Sequence, residues 1–428
     1  MSRDFRAVSG RTGYYVITGS LLFLATLAYS SGSLRGQPSE PTTLPRIAAR
    51  AFNSKLALSV WVSADRDSDP HLLGNTPSEK PIEIPADAEW WISQPAVGAQ
   101  WDIDTVAREI RAESIPGVTL RNATDADLFR LKDITGLRRL DVSQSEVTDS
   151  GLASLKEMKD LHSLNLYGTK VTDAGLRNLE PLLALRELQV GSTGVSDAGL
   201  VHLKDLRGLQ SLDLWNTQVT GAGLEHLQQL RVLRLVGRQV SDAGLVSLEG
   251  FNGLERLTLG GTNVTDAGLG HLRGLVRLRQ LSLTGQRITD AGLQHLKGLT
   301  ALSALDLRAT SVTGTGLEYL KGLKDLRELN LWDTQLSDAG LEHVIGLTGL
   351  ETLYLCDTRV SDAGLVHLLG LKGLLDLHLW NDTQVTDAGL KTLENLPKLK
   401  TLELSQTAVT AAGVSAFNKS LPGCNVIR

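Results

Sequence analysis

Residues 161–184 read LHSLNLYGTKVTDAGLRNLEPLLA, and variants of this unit fill most of the 428-residue chain. The opening L-x-x-L-x-L alternates apolar and polar residues around Leu164, which is typical of a short strand with one buried face. Leu176, Leu179 and Leu182 then recur at every third residue, as a short α or 3₁₀ segment places them on one side. Each unit therefore predicts one strand followed by one short helical segment.

The unit recurs with a nearly constant period. The glycine of an S/T-x-x-G-L/V motif occurs twelve times, and nine of the eleven intervals between these glycines are 24 residues long. The glycines are Gly151, Gly175, Gly199, Gly223, Gly244, Gly268, Gly292, Gly316, Gly340, Gly364, Gly389 and Gly413. Strands joined by helical crossovers of constant length must be parallel, and right-handed crossovers stack them into a coil. Because helical segments are wider than strands, we expect the sheet on the concave side.

The pattern resembles the leucine-rich repeat family, whose signature is L-x-x-L-x-L-x-x-N/C/T-x-L. Threonine usually takes the asparagine position here, at Thr169, Thr193, Thr217, Thr262, Thr310, Thr334, Thr358, Thr383 and Thr407. The TDAGL variant is similar to the 24-residue type of exported bacterial proteins and, more distantly, to F-box leucine-rich repeat proteins. The resemblance covers residues 103–428 and implies an α/β fold, a right-handed leucine-rich repeat solenoid with a curved parallel sheet, short convex helices and about 12 full repeats between divergent end units.

Two units depart from the period. The interval between Gly223 and Gly244 is 21 residues, which predicts a local change of curvature. The interval between Gly364 and Gly389 is 25 residues, and its extra residue falls within residues 380–382, just after a strand. The longer unit therefore predicts a bulge that opens on the concave side.

The TDAGL motif predicts helix capping rather than a metal site. The residue three before each of the twelve glycines is Ser or Thr, which is typical of a helix N-cap, and the next residue is Asp in nine units. Gly221, Gly314 and Ala411 replace the acid, so a calcium site does not explain the pattern. One position of G-L-x-H-L holds six histidines but also accepts Ser, Asn, Tyr and Thr, which indicates packing. These histidines are His202, His226, His271, His295, His343 and His367.

The N-terminal segment indicates export. Three arginines in the first thirteen residues precede an apolar run from Tyr14 to Ala28, which is short for a spanning helix of ~20 residues. We expect residues 1–30 to be either a cleaved signal peptide or a retained membrane anchor through 14–28. Residues 31–50 are rich in Ser, Pro and Gly, which predicts a flexible linker. Both alternatives place the rest of the chain outside the cytoplasm, secreted or anchored in the cell envelope.

Residues 51–102 hold four of the seven tryptophans but show no helical or strand period. The sequence leaves this region as an uncertain linker or N-terminal cap. A cap is expected because a terminal repeat otherwise exposes an apolar cross-section. The repeat domain itself is predicted for residues 103–428.

Charge and motif content argue against two functional classes. The net charge is −5 with a pI of about 6.0, and no dense run of lysine or arginine occurs, so we expect no nucleic-acid partner. The outward columns of the strands carry seven acids and four arginines, which suits a protein or glycan better than a phosphate backbone. The chain has no HExxH, GxSxG, P-loop or CxxC motif, and the sequence predicts neither an enzyme nor a cofactor.

The variable residues on the outward side of the strands point to recognition. All three tryptophans of the repeat region occupy the column that follows each L-x-L, and two of them lie two strands apart, roughly 10 Å. Clustered exposed Trp and Tyr are typical of binding hot spots, although such rings also stack on neighbouring strands and stiffen a sheet. The predicted partner-binding residues are Trp332, Tyr354, Trp380, His378, Asp376, Glu328, Cys356, Trp215 and Tyr167.

The two cysteines, Cys356 and Cys424, lie about three strands apart, so the sequence predicts no disulfide between them. Cys356 falls in an outward column, whereas Cys424 falls in a core position of the last strand. A thiol reagent is therefore expected to label Cys356 and to spare Cys424.

These observations predict a non-catalytic recognition scaffold that binds a protein or glycan on its concave face. The first alternative is the substrate-receptor subunit of an F-box ubiquitin ligase, which the resemblance permits. That subunit needs an adaptor-binding helical module near residues 45–100, where Pro70, Pro77, Pro81 and Pro85 interrupt helices. The second alternative is a purely structural envelope repeat protein.

Overall fold

The chain forms two compact units that divide between Leu120 and Arg121 in this computed structural model. The structure describes residues 50–63, 70–86, 88–95, 101–285 and 287–428. The predicted export segment and nearly all of the predicted linker lie outside the described residues. Within the described residues, every helix is too short or too polar to cross a membrane.

The first unit contains two small sheets and a helix. Its strands are β1 Arg50–Phe52, β2 Leu58–Ser63, β3 His71–Thr76, β4 Ile82–Ile84, β5 Glu89–Ser93 and β6 Gly117–Thr119. Strand β1 pairs with β4, and β2 lies between β3 and β5, all in antiparallel orientation, while β5 pairs with β6 in parallel. The helix Ile103–Glu113 begins at the N-cap Asp102, whose side chain accepts a hydrogen bond from the backbone N–H of Asp104.

Tryptophans build the core of this first unit. Trp90 is 3% exposed, and its ring centroid lies 5.2 Å from that of Phe52. Trp91 is also buried, and the indole N–H of Trp61 donates to Ser93 Oγ at 2.9 Å. The tryptophan-rich stretch that shows no sequence period is therefore folded structure, in which the Trp61 indole N–H has a hydrogen-bond acceptor.

The second unit is a stack of parallel strands, thirteen among its described residues. They are β7 Arg139–Asp141, β8 Ser163–Asn165, β9 Glu187–Gln189, β10 Ser211–Asp213, β11 Val232–Arg234, β12 Arg256–Thr258, β13 Gln280–Ser282, β14 Ala304–Asp306, β15 Glu328–Asn330, β16 Thr352–Tyr354, β17 Asp376–His378, β18 Thr401–Glu403 and β19 Asn425–Ile427. Each strand pairs with the next in register, so Leu212 lies between Leu188 and Leu233. The register continues unbroken across the 21-residue unit, which joins β10 to β11.

Short helical segments connect the strands, as the period of three predicts. The α-helical segments are Asp125–Leu131, Asp149–Leu152, Asp173–Leu176, Asp197–Leu200, Asp242–Leu245, Asp290–Leu293, Asp338–Leu341, Asp387–Leu393 and Ala411–Ser420. The 3₁₀ segments are Ala153–Leu155, Arg177–Leu179, Val201–Leu203, Leu224–His226, Val246–Leu248, Gly268–Leu272, Gln294–Leu296, Thr315–Leu320, Glu342–Gly346 and Gly364–Gly370. Parallel strands alternating with these segments confirm the predicted α/β repeat fold.

The core consists of stacked leucine side chains and of buried threonines beneath the turns. The middle residue of each repeat strand, such as Leu164, is buried, as are the leucines of the helical segments. The threonine of each unit lies beneath the turn that follows the strand, and the hydroxyl of Thr334 donates to the carbonyl of Leu331 at 2.7 Å. Thr169 and Thr310 make the same bond within their own units. A buried hydroxyl is therefore satisfied locally, which explains why threonine serves in the asparagine position.

One prediction about this position is wrong. In the 25-residue unit the buried position holds Asp382 rather than Thr383, because Asp382 is 1% exposed and Thr383 is exposed. Asp382 Oδ1 accepts hydrogen bonds from the backbone N–H of Thr358 at 2.9 Å and from its hydroxyl at 3.3 Å. The inserted residue therefore places a carboxyl group inside the turn layer instead of adding only a surface bulge.

The aspartate of the TDAGL motif links consecutive units, a role that the sequence did not reveal. Asp149 accepts two hydrogen bonds from Thr172 of the following unit, from the backbone N–H at 2.8 Å and from the hydroxyl at 2.6 Å. The glycine leaves room for this carboxylate, since a Cβ at Gly175 would collide with Asp149 Oδ1. The same clamp joins Asp125 to Thr148, Asp173 to Ser196, Asp197 to Thr220, Asp242 to Thr265, Asp266 to Thr289, Asp290 to Thr313, Asp338 to Ser361, Asp362 to Thr386 and Asp387 to Thr410.

The predicted capping is confirmed for part of the motif. The hydroxyls of Thr148, Ser196, Thr289 and Thr386 accept a hydrogen bond from the backbone N–H two residues later. Thr172 and Ser241 make no such bond, although each still precedes a helical turn. The interpretation of the acid as a first-turn charge alone was incomplete, because its carboxylate is used by the next unit.

Candidate partner-binding face

The outward face of the repeat sheet carries the variable side chains. In strand β8 the central Leu164 is buried, whereas Ser163 and Asn165 on either side are partly exposed. Most strands of the second unit repeat this alternation. The column that follows each L-x-L therefore lies on the outward face, where the sequence places the tryptophans.

Two tryptophans and a histidine–tyrosine pair form what we call the C-terminal aromatic patch, which consists of Trp332, Tyr354, His378 and Trp380. The ring centroids of Trp332 and Trp380 are 5.8 Å apart with an interplanar angle of 59°. The rings of Tyr354 and His378 stack at 4.4 Å with an angle of 17°. The indoles therefore contact each other, although their strands lie roughly 10 Å apart. All four side chains remain partly exposed.

Cys356 lies on the strand between the two tryptophans and is only 4% exposed. Burial raises the pKa of its thiol to about 12, and burial likewise raises the pKa of Cys424 to about 11. The expectation that Cys356 is open to a partner or to a thiol reagent is therefore wrong, because its side chain is buried. Both thiols are free.

A polar frame fixes the edge of the patch. The indole N–H of Trp332 donates to Asp357 Oδ2 at 2.8 Å, and the side-chain amide of Asn381 donates to Asp357 Oδ1 at 2.5 Å. Asp333, Asp357 and Asn381 each follow the tryptophan column and adopt φ of 53°, 56° and 63°. Asn and Asp tolerate this left-handed conformation better than most residues. These turn residues were missed in the sequence, where only the strand columns were considered.

The charges around the patch are negative. Asp333 is exposed as a residue, but partial burial of its carboxyl group and the charge of Asp357 raise the pKa of that group. Burial is also the main reason that the pKa of His378 is lowered, so the imidazole is neutral at pH 7. Burial raises the pKa of Asp382, beneath the turn, to about 7.

Two further predicted site residues differ in accessibility. Asp376 is partly exposed at the start of strand β17, on the same face as the aromatic patch. Glu328 is 4% exposed and has an interaction within the chain, so its predicted direct contact with a partner is not supported. A carboxylate buried to this degree must be paired, which assigns Glu328 to the fold.

Tyr167 and Trp215 form a second group, the N-terminal aromatic patch. Their ring centroids are 5.7 Å apart at an angle of 28°, and they meet across Gly191. A Cβ at Gly191 would lie 2.9 Å from Tyr167 Cδ2, so a side chain there would displace the ring. The guanidinium of Arg234 lies 5.7 Å from the Trp215 ring centroid and donates to Asp213 Oδ2 at 3.1 Å.

The histidine position lies on the helical side, away from these patches. His202 Nδ1 lies 2.6 Å from Glu180 Oε1, and His271 Nδ1 lies 2.6 Å from Glu249 Oε1. No group of three His, Cys, Asp or Glu side chains in the described part of the chain is placed to hold a metal ion.

Comparison with known proteins establishes the fold class. No family model matches the chain, and no curated protein matches it in sequence. The chain is similar to the crystal structure of an internalin, InlF, from Listeria monocytogenes, with 24% identity over 76% of this chain and 92% of that one and a TM-score of 0.58. A leucine-rich repeat protein of Leptospira interrogans gives 18% identity, 74% and 90% coverage and a TM-score of 0.54.

A third solved structure, of TLR13 in complex with a single-stranded RNA, gives 17% identity and a TM-score of 0.51. The match covers 73% of this chain and 52% of that one. The three structures confirm that the chain has the leucine-rich repeat fold. The 24-residue TDAGL type and the distant F-box similarity stay predictions.

Proposed function

We propose that this chain is a non-catalytic scaffold that recognises a protein partner through the outward face of its repeat sheet. The contact is centred on the C-terminal aromatic patch. The observation that carries this proposal is the pair of partly exposed indoles, Trp332 and Trp380, packed 5.8 Å apart on a sheet whose register is unbroken. Large rings held rigidly bury much area at a small loss of conformational entropy.

The polar frame supports recognition over a purely structural role. Trp332 is already oriented by Asp357, so the ring loses little freedom when a partner covers it. The direct contact between the indoles also stiffens the sheet, and this observation favours the structural alternative. The recognition role and the structural role differ in one respect: only recognition requires the exposed ring surface to contact another molecule.

The proposed setting is extracytoplasmic, with the chain secreted or attached to the cell envelope. The support is the apolar run from Tyr14 to Ala28, preceded by arginines. A phosphate-rich partner is disfavoured at this patch by the acids Asp333 and Asp357. A neutral glycan remains the second ligand class that stacked indoles accept.

The test is capture of partners from the envelope fraction by the full chain and by a Trp332→Ala, Trp380→Ala variant with an unchanged melting temperature. The matched control is Leu183→Ala, Val276→Ala, which removes exposed apolar side chains, 63% and 54% accessible, outside the strands. A captured protein is then purified and titrated against each form. We expect about a 30-fold or greater loss of affinity for the tryptophan variant alone, because hot-spot tryptophans contribute about 2 kcal/mol or more. Equal binding by all three forms would contradict the proposal.

A further inference from the structure

The outward positions around the C-terminal aromatic patch hold acids but no lysine or arginine. Strands β15–β18 offer two outward positions each, and the tryptophan column and the residue after it add two more in each unit. These sixteen positions contain five acids and no lysine or arginine. The acids are Glu328, Asp333, Asp357, Asp376 and Glu403. Three of them, Asp333, Asp376 and Glu403, are at least partly exposed and lie outside the frame that holds Trp332.

Three arginines of the neighbouring segments are engaged with other side chains. Arg308, two residues after strand β14, donates to Asp306 at 3.2 Å. Arg359 donates to Gln335, and Arg327, which precedes strand β15, lies 3.5 Å from Glu351. His378 within the patch is neutral at pH 7, because burial lowers its pKa. Exposed Lys400, before strand β18, and Arg428, after β19, lie outside the sixteen positions, whose own charge is negative.

The N-terminal aromatic patch shows what completes such an arrangement. There the second outward position of the following strand holds Arg234, whose guanidinium faces Trp215 and bonds to Asp213. The corresponding positions after Trp332 and Trp380 hold Tyr354 and Glu403. The C-terminal patch thus has the rings and the carboxylates but lacks the arginine. Ring faces and carboxylates together attract guanidinium groups strongly.

We infer that the C-terminal aromatic patch binds an arginine- or lysine-bearing segment of a protein partner. The inference rests on the proposed function and names the chemistry of the partner. The incoming cation takes the place that Arg234 occupies in the N-terminal patch, against an indole face and beside Asp333, Asp376 or Glu403. Salt weakens the complex, because these acids are partly exposed and therefore screened.

The direct test uses the full chain and a fluorescein-labelled octapeptide of alternating Arg and Gly, with Glu-Gly and Ser-Gly peptides of the same length as comparison probes. Fluorescence anisotropy is read at about 20 mM and about 300 mM NaCl, since the Debye length falls severalfold across this range. We expect the Arg-Gly peptide to bind at least about tenfold more tightly than the Ser-Gly peptide at low salt. Equal affinity for the two peptides overturns the inference.

Two variants locate the binding. Asp333→Asn, Asp376→Asn removes two partly exposed acids and is expected to weaken Arg-Gly binding about fivefold or more, compared with the charge-matched control Asp205→Asn, Asp325→Asn outside the strands. Glu403→Arg places a guanidinium where Arg234 stands in the other patch and is expected to abolish peptide binding, whereas Asp325→Arg does not. Equal losses in variants and controls mean general charge attraction and contradict the inference.

The proposed function and this inference fail in different ways. If the tryptophan variant loses its natural partner but the wild type does not prefer the Arg-Gly peptide, recognition stands and the cationic chemistry is wrong. If the acid variants lose the peptide while the tryptophan variant keeps every captured protein, the cation site exists and the proposed recognition site does not.

Discussion

The two aromatic patches occupy the same outward column of the same sheet, yet they are built differently. In the N-terminal patch the rings of Tyr167 and Trp215 stack at 28° over a glycine, and Arg234 covers the indole. In the C-terminal patch the rings of Trp332 and Trp380 tilt by 59° across a buried cysteine, and acids surround them.

The residue between the rings and the residue on the following strand account for the difference. Gly191 lies between Tyr167 and Trp215, where an added Cβ would meet the tyrosine ring, whereas the buried Cys356 takes the corresponding position between Trp332 and Trp380. Arg234 satisfies one patch internally, and the other patch is left with unbalanced charge. A few side chains therefore distinguish the two surfaces, with no change in backbone register, and only the C-terminal one is proposed to bind a partner.

The largest expected effect concerns Asp382, beneath the C-terminal patch. Its pKa of about 7 in the folded chain lies above the ordinary value of 3.8. The fold therefore favours the protonated form, and stability is lost as pH rises from about 4 through about 7. We expect Asp382→Asn to gain up to roughly 4 kcal/mol relative to wild type between pH 4 and pH 8, measured by urea unfolding.

The exposed substitution Asp205→Asn is the control for that pH series. Its unfolding free energy is expected to follow the wild type at every pH. An Asp382→Asn curve parallel to the wild type would show that the carboxyl group is not buried in the turn layer.

A smaller effect is expected from Gly191→Val in the N-terminal patch. The new Cβ would meet the Tyr167 ring at 2.9 Å and the Trp215 carbonyl at 3.1 Å, so the rings must separate. We expect a loss of about 1–3 kcal/mol in chemical unfolding, as for other overpacked sites. Thr284→Val, a change of similar size at a partly exposed position of the same column, is the control and is expected to change the unfolding free energy by less than about 0.5 kcal/mol. No loss at Gly191 would mean that the stacked pair contributes nothing to the fold.

The smallest change in stability, with the sharpest change in binding, is expected from Arg234→Ala. Removing a partly exposed ion pair and one cation–ring contact costs about 1 kcal/mol. Without Arg234, the Trp215 ring face and the Asp213 carboxylate of the N-terminal patch are both left without a cation. In the Glu403→Arg background, where the C-terminal patch is filled, Arg234→Ala should restore Arg-Gly binding in the anisotropy assay. The exposed neighbour Arg238 supplies the control Arg238→Ala, which should restore nothing. Failure of Arg234→Ala to restore binding would show that the two patches are not chemically equivalent.

The repeat fold was predictable because its sequence is periodic, whereas the strands of the first unit were not, because that part of the sequence has no period. Strands such as Ser163–Asn165 and the leucines that follow them were predicted because a period of two and a period of three are both visible in each unit. Strands β2 and β5 were not predicted, because residues 58–63 and 89–93 pair over long sequence distances without a repeat. Burial on both faces of such strands removes the alternation that identifies them.

The candidate site was predicted in position but not in detail. The column of Trp332 and Trp380 followed from strand register, yet strand spacing alone separates the rings by roughly 10 Å and leaves Cys356 exposed. The contact between the two indoles and the burial of Cys356 depend on side-chain packing, which strand register does not show. Likewise, Thr172 donates a hydrogen bond to Asp149 of the preceding unit. A pattern read within one unit does not show this bond and assigns both residues to helix capping.

The clamps between units are interrupted twice, where Gly221 and Gly314 replace the acid. A glycine has no carboxylate, and the carbonyls of Thr220 and Thr313 approach the glycines of the next units instead. The interruptions fall between β10 and β11 and between β14 and β15. Clamps therefore tie the strands into three groups of four, β7–β10, β11–β14 and β15–β18. The ring pair of the N-terminal aromatic patch lies within one group, and the two ring pairs of the C-terminal aromatic patch lie within another. Because the stability of a repeat protein is approximately a sum over nearest neighbours, we expect the junctions between groups to open first under force or heat, leaving each pair of rings intact within its group.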